Sequence, residues 1–272
     1  MTLLIHSMSE LSDIILDGLR IAGARDIVEI GCEFGGMSDL LAAHAHECGG
    51  TLTSIDPAPK CEFLDWLAAH PHARHVAQPS LAALPALPAA DAWIIDGDHN
   101  WYTVYHELGA IREACDRDGK PVLAFLHDVA WPCARRDLYY APDAIPPGFR
   151  HAHSWNGGIS PDWDGVVDHR GFRGCGQFAV ALHEGGPRNG VLTAIEDFFA
   201  DCEADGAQLL YASIPAVFGL GVLFDATAPW APPLAEHLVP WHDNRLLATL
   251  ERNRLRNYLA VIDWQDRAAD AA

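Results

Sequence analysis

The stretch Val28-Glu29-Ile30-Gly31-Cys32-Glu33-Phe34-Gly35-Gly36 sets an apolar strand ahead of a glycine turn, and Ser38-Asp39 then opens a helical pattern. Glycines at such a junction let the backbone approach a ligand and bring the first helix amides beside it. Upstream, Ser7-Met8-Ser9-Glu10 has capping-box spacing, and Leu11, Ile14, Ile15 and Leu19 recur at helical intervals up to Gly23. That predicts an amphipathic helix with a glycine stop. Downstream, β-like runs at 51–55, 75–77, 92–96 and 122–127 alternate with helical patterns at 37–47, 59–69 and 102–115. This alternation predicts a parallel sheet with crossover helices on both faces.

The rhythm stops over 129–187, a segment dense in Pro, Gly, Trp, His and Asp and too long for an ordinary connection. We read it as a lid inserted after the fifth strand. A helix over 191–202 follows, then strand-like runs at 209–212 and 219–224 that suit an antiparallel finish. Pro-rich 229–240 leads to Leu246, Leu247, Leu250, Leu255 and Leu259, a charged amphipathic helix with a face for the domain or for another subunit. The expectation is a single α/β domain over 1–272: a Rossmann-like, seven-stranded, mostly parallel sheet with an antiparallel last strand. It carries the 129–187 lid and a C-terminal helical extension over 229–272, and a homo-oligomer is among its expected states.

A chain of 272 residues can bury a substantial core. With 18 Lys and Arg against 37 Asp and Glu, its net charge of −19 disfavours nucleic acid as a partner. The seven cysteines are odd in number and include no C-x-x-C pair, which fits neither a disulfide framework nor a zinc knuckle. The N-terminus lacks a secretory pattern, and no apolar run approaches about 18 residues. A cytoplasmic protein with no membrane partner is expected.

The spacing Glu29-x-Gly31-x-x-x-Gly35 resembles the first motif of class I S-adenosylmethionine methyltransferases more than the G-x-G-x-x-G of dinucleotide enzymes. A phosphate cradle needs no acidic neighbour, whereas a sulfonium amino acid welcomes one, which suits Glu29 and Glu33. Asp56, ending the run Thr53-Ser54-Ile55-Asp56, stands where an acidic strand end accepts two ribose hydroxyl protons. The resemblance implies S-adenosylmethionine as cofactor, held by Glu29, Gly31, Cys32, Glu33, Gly35, Asp56 and Asp96. It sets Ser80 at the adenine region, although Gln78-Pro79-Ser80 departs from the common Gly-Asp-Ser form. A glycine turn that merely links strand to helix is the plain alternative.

Ile95-Asp96-Gly97-Asp98-His99 and Phe125-Leu126-His127-Asp128 end two adjacent strands at the edge where open α/β sheets collect ligands. Through them the chain resembles bacterial small-molecule O-methyltransferases of the macrolide-sugar O-methyltransferase and cephalosporin-hydroxylase-like group, over about 20–128 and again at 188–225. The resemblance implies that Asp96 and Asp128 bind Mg or another divalent cation and that His99 is the general base beside Asp96, and His127 is a further candidate ligand. His127 stands where those relatives carry a carboxylate. Structural alternatives stay open: His99 as a strand-end hydrogen bonder, His127 as a core histidine, and Asp98 as a helix cap.

In the insertion, Trp131, Tyr139, Tyr140, Phe149, Trp155, Trp163 and Phe172 interleave with Arg135, Arg136, His151, His153, Asp162, Asp164, Asp168 and His169. Aromatics with polar groups suit a small-molecule pocket, and Trp101, Tyr102, Trp131 and His169 are the candidate acceptor contacts. The expected reaction is O-methylation of a natural-product or sugar hydroxyl. N-methylation, an S-adenosylmethionine cyclase or lyase, and a non-catalytic binding subunit are the alternatives.

Overall fold

The computed structural model describes residues 7–163 and 165–270. Its sheet comprises β1 (Ile27–Ile30), β2 (Leu52–Ile55), β3 (Ala73–Val76), β4 (Ala92–Ile95), β5 (Leu123–His127), β6 (Leu209–Ile214) and β7 (Leu220–Asp225). The seven strands lie in the order β6-β7-β5-β4-β1-β2-β3. All pairs among β1 to β5 are parallel, while β7 runs antiparallel to both β5 and β6. The mostly parallel sheet with an antiparallel last strand is therefore present as the sequence predicts. Strand order reverses between β1 and β4, which opens a crevice at their carboxyl ends.

Every residue of β1, β4 and β5 is buried, as expected for a sheet covered on both faces. Side chains alternate between those faces. Trp93 and Ile95 join the core under α5 (Trp101–Asp118) and α6 (Val191–Ala204), while Ala92 and Ile94 join the core under α1 (Ser12–Ala22), α2 (Gly36–Glu47) and α7 (Ala231–Leu238). Between these lie α3 (Cys61–Ala69) and the short α4 (Ser80–Ala83). Gly23, at φ 65°, closes α1 as expected. The capping box does not form: Ser7 accepts the Ser9 N–H and starts a 3-10 turn, and α1 begins only at Ser12.

The insertion has its own structure. Leu138–Tyr139, Ala179–Ala181 and His153–Ser154 form a small antiparallel sheet, and Gly157–Gly158 pairs with Val167–Asp168. Its anchor is buried Asp137, whose Oδ1 accepts the Trp101 and Gly190 N–H groups and whose Oδ2 accepts the Tyr139 hydroxyl. The extension ends in the 26-residue helix α8 (Arg245–Asp270), which ties down the insertion through the pairs Arg170–Asp263 and Arg173–Asp266. On its outer side Leu246, Leu250, Val261 and Trp264 are exposed. Asp164 lies outside the described residues. Among those residues no helix is long and apolar enough to cross a membrane.

Candidate active site

Gly31, at φ 85°, ends β1 against the turn that follows β4. A Cβ there would lie 2.2 Å from the Asp96 carbonyl oxygen, so the two turns touch because residue 31 has no side chain. Gly35, at φ 84°, caps α2. At the end of β2, Asp56 Oδ2 accepts the Cys32 and Glu33 N–H groups, each at 3.1 Å, and Oδ1 accepts the Ala58 N–H at 2.8 Å. One carboxylate thus shapes the glycine turn that lies beside it. Burial, and then Asp56, push the Cys32 thiol up. Glu33 is exposed in the left-handed region, at φ 40°.

The structure places Glu29 under the turn instead of at its open edge. Its Oε2 accepts hydrogen bonds from Ser38 of α2 at 2.7 Å and Ser54 of β2 at 2.6 Å, and burial pushes its carboxyl up to about 7. Glu29 alternates inward along a buried strand, so it pins the turn from beneath. Ser80 is the first residue of α4 and is half-buried.

One turn away, β4 and β5 bring four side chains together. His99 Nε2 lies 2.9 Å from Asp128 Oδ2 and 3.5 Å from Asp96 Oδ1. His127 Nδ1 lies 3.2 Å from Asp96 Oδ1 and 3.3 Å from Asp128 Oδ2. The His99–Asp128 contact is a close charge pair and not a linear hydrogen bond. Burial opposes every charge here, but mutual attraction outweighs it: both carboxyls are held below their usual range and both imidazoles are raised, His127 to about 10. Asp128 has φ 61°, a conformation that non-glycine residues keep mainly where their surroundings enforce it.

Ligand atoms of Asp96, His127 and Asp128 come together closely enough for one ion, as do those of His99, Asp128 and Cys133. In the first group the two separations from His127 Nδ1, 3.2 and 3.3 Å, fall between the spacings of neighbouring ligands about 2.1 Å from a common cation, roughly 3.0 Å in an octahedron and 3.4 Å in a tetrahedron. The residues fit a divalent ion.

The insertion secures this edge. Leu138 donates its N–H to the His99 carbonyl at 2.9 Å, and Asp98 accepts the Tyr140 N–H. Asn100, and not Asp98, caps α5 by accepting the Thr103 N–H, while Asp98 braces both residues by accepting from the Asn100 amide and the Thr103 hydroxyl. Sequence reasoning did not single out Tyr140, whose ring lies 5.8 Å from that of His99 and is half exposed, or Cys133, whose Sγ is 3.6 Å from Asp128. Tyr140 sits among many insertion aromatics, and only the fold shows which one meets the site.

Three other candidates, Trp101, Tyr102 and Trp131, are taken up by packing. Trp101 is buried, stacks on Tyr105 and Phe149, and donates to Asp197 of α6. Tyr102 packs against Phe149 and His106. Both bind the insertion to α5. Trp131 meets Phe172 and Phe218. His169 is exposed just after the Val167–Asp168 strand, with φ 61°.

The strand order, with the glycine turn after β1 and the acidic end of β2 at one edge of the sheet, is that of a Rossmann-like methyltransferase fold. Residues 28–129 match the family model described as a methyltransferase domain. Similar solved structures include the SAH-bound methyltransferase PaMTH1 of Podospora anserina, 14% identical over 80% of this chain and 79% of that one, with a TM-score of 0.47. An O-methyltransferase from Bacillus cereus in complex with SAH is 12% identical over 80% and 81% of the two chains, with a TM-score of 0.47. The O-methyltransferase TomG from Streptomyces achromogenes, involved in tomaymycin synthesis and in complex with SAM, is 14% identical over 79% of each, with a TM-score of 0.44. Comparison with curated protein sequences gives no match.

Proposed function

We propose that the protein methylates a hydroxyl of a small molecule, such as a natural product or sugar, with S-adenosylmethionine as donor and His99 as general base. One observation carries this reading: the His99–Asp128 pair sits at the sheet edge within 3.5 Å of Asp96, whose backbone abuts the Gly31 turn.

Methyl transfer needs an acceptor oxygen in line with the sulfonium methyl, and a hydroxyl is a poor nucleophile while it keeps its proton. Asp128 engages His99 Nε2, which leaves Nδ1 to take that proton, and the carboxylate then steadies the imidazolium that forms. As the O–C bond forms, the methyl–sulfur bond breaks and S-adenosylhomocysteine leaves with its sulfur neutral. Asp96, His127 and Asp128 would hold a divalent cation. When bound, that ion supplies Lewis acidity that lowers the hydroxyl's pKa, and its charge offsets the carboxylates that keep His99 protonated.

The test incubates the protein with S-adenosylmethionine and panels of hydroxyl and amine acceptors. S-adenosylhomocysteine formed only with a hydroxyl acceptor, and lost in His99→Ala, is expected. Methylthioadenosine as product, transfer to amines, or undiminished turnover in both His99→Ala and chelator-treated enzyme would overturn the reading.

A further inference from the structure

We infer that the cation site is built for a first-row transition dication such as zinc, cobalt or ferrous iron, and not for magnesium, because His127 presents a fixed nitrogen ligand. This rests on the reading of Asp96, His127 and Asp128 as a cation site.

The tautomer carries the argument. His127 Nε2 lies 2.7 Å from the Val217 carbonyl, which can only accept, so Nε2 bears a hydrogen. A cation that displaces the imidazolium proton leaves Nδ1 a bare lone pair, already held 3.2 Å from Asp96 Oδ1 and 3.3 Å from Asp128 Oδ2. Three electron-rich atoms keep such positions only around a cation or a shared proton. An imidazole that ligates through one nitrogen and donates its other N–H to a backbone carbonyl is the usual arrangement of a metal-bound histidine. Val217, which supplies that carbonyl, is a β-branched residue at φ 50°. The chain keeps a strained backbone where it fixes this ring.

Donor chemistry then selects the ion. Imidazole nitrogen favours the later first-row metals, whereas magnesium prefers an all-oxygen octahedron and gives up its waters reluctantly. His127 and Asp128 are 3% and 4% exposed, so this side of the site has little room for a retained water shell. Two carboxylates and a neutral imidazole also balance the charge of a dication.

The experiment strips the full-length protein with chelator. Cobalt binding is followed by its visible ligand-field absorption, zinc by competition and magnesium by calorimetry, for the wild type, His127→Asp and His127→Gln. One cobalt per chain is expected, bound about a hundredfold or more tighter than magnesium, with at least about tenfold of that preference lost in His127→Asp. Magnesium bound as tightly as cobalt by the wild type would overturn the inference and leave the cation site standing. Failure of every ion to bind would overturn the cation reading itself and identify His127 as a structural imidazolium. Unchanged cobalt binding in His127→Gln would place the ion elsewhere and also overturn the inference. Should the variants fail to fold, X-ray absorption of the cobalt-loaded wild type decides: an imidazole nitrogen with oxygens supports the inference, and an all-oxygen or sulfur-containing shell overturns it.

Discussion

His127 and Val217, ninety residues apart in sequence, are joined by a 2.7 Å hydrogen bond, so the turn between β6 and β7 sets the orientation of a β5 side chain. The next residue, Phe218, also lies in the left-handed region, at φ 63°, and Glu251 of α8 accepts its N–H at 3.0 Å. Through that contact the C-terminal helix steadies the edge at which the chemistry is proposed.

Glu251→Ala should therefore cost about 1–3 kcal/mol of stability, the usual penalty for orphaning a buried donor. It should also lower turnover while leaving S-adenosylhomocysteine affinity unchanged. Glu251→Gln, which keeps an acceptor, should recover most of both losses. Denaturant titration and calorimetry read the two effects, and equal turnover in Glu251→Ala and wild type would refute the coupling.

His99→Ala should reduce kcat by about a hundredfold to ten-thousandfold, the range for a lost general base. Cofactor affinity should hold, because the turn contacts come from Asp56 and not from His99. Single-turnover assays beside cofactor titration test this. A matching loss of cofactor affinity would mean that His99 supports the pocket and does not handle the proton.

Asp56→Ala removes the acceptor for two turn amides as well as the expected ribose contact. Charge-assisted hydrogen bonds are worth about 1.5–3 kcal/mol each. S-adenosylhomocysteine should thus bind at least about tenfold more weakly, as isothermal titration would show. Unchanged affinity would leave Asp56 with only its role in the turn.

Much of this was legible in the sequence because it rests on local pattern. Short apolar runs marked β1, β2, β4 and β5, with glycine turns after β1 and β4, and two strand ends carrying Asp96 and His127-Asp128 had to share one edge once the sheet was parallel. The third strand was harder to place: expected at 75–77, it spans Ala73–Val76, where three of four residues are not buried and the apolar signal is weak. Long-range contacts left no local trace. Nothing near Glu29 shows that its carboxyl faces Ser38 and Ser54, nor does anything near Trp101 show that its ring is committed to Asp197 and Phe149. The Val217 carbonyl was equally invisible, since a backbone acceptor carries no residue signature.

Glu107, fully buried in α5, offers a test independent of any ligand. Burial pushes its carboxyl from 4.5 up to about 8, with Asp98 adding to the rise and the Ser80 hydroxyl and the His99 charge offsetting part of it. The folded protein thus holds this proton to a higher pH than the unfolded chain does. The associated cost is absent below about pH 4.5, grows as pH rises towards 8 and is constant above that. At about 1.4 kcal/mol for each tenfold change in ionisation, it cannot exceed roughly 5 kcal/mol. Glu107→Gln keeps the shape and removes the charge, so the variant should match the wild type near pH 5 and exceed it by about 2 kcal/mol or more at pH 9. Urea denaturation at the two pH values measures the difference. A gap between variant and wild type that does not widen with pH would show that Glu107 is already relieved of its charge, through a partner or through water.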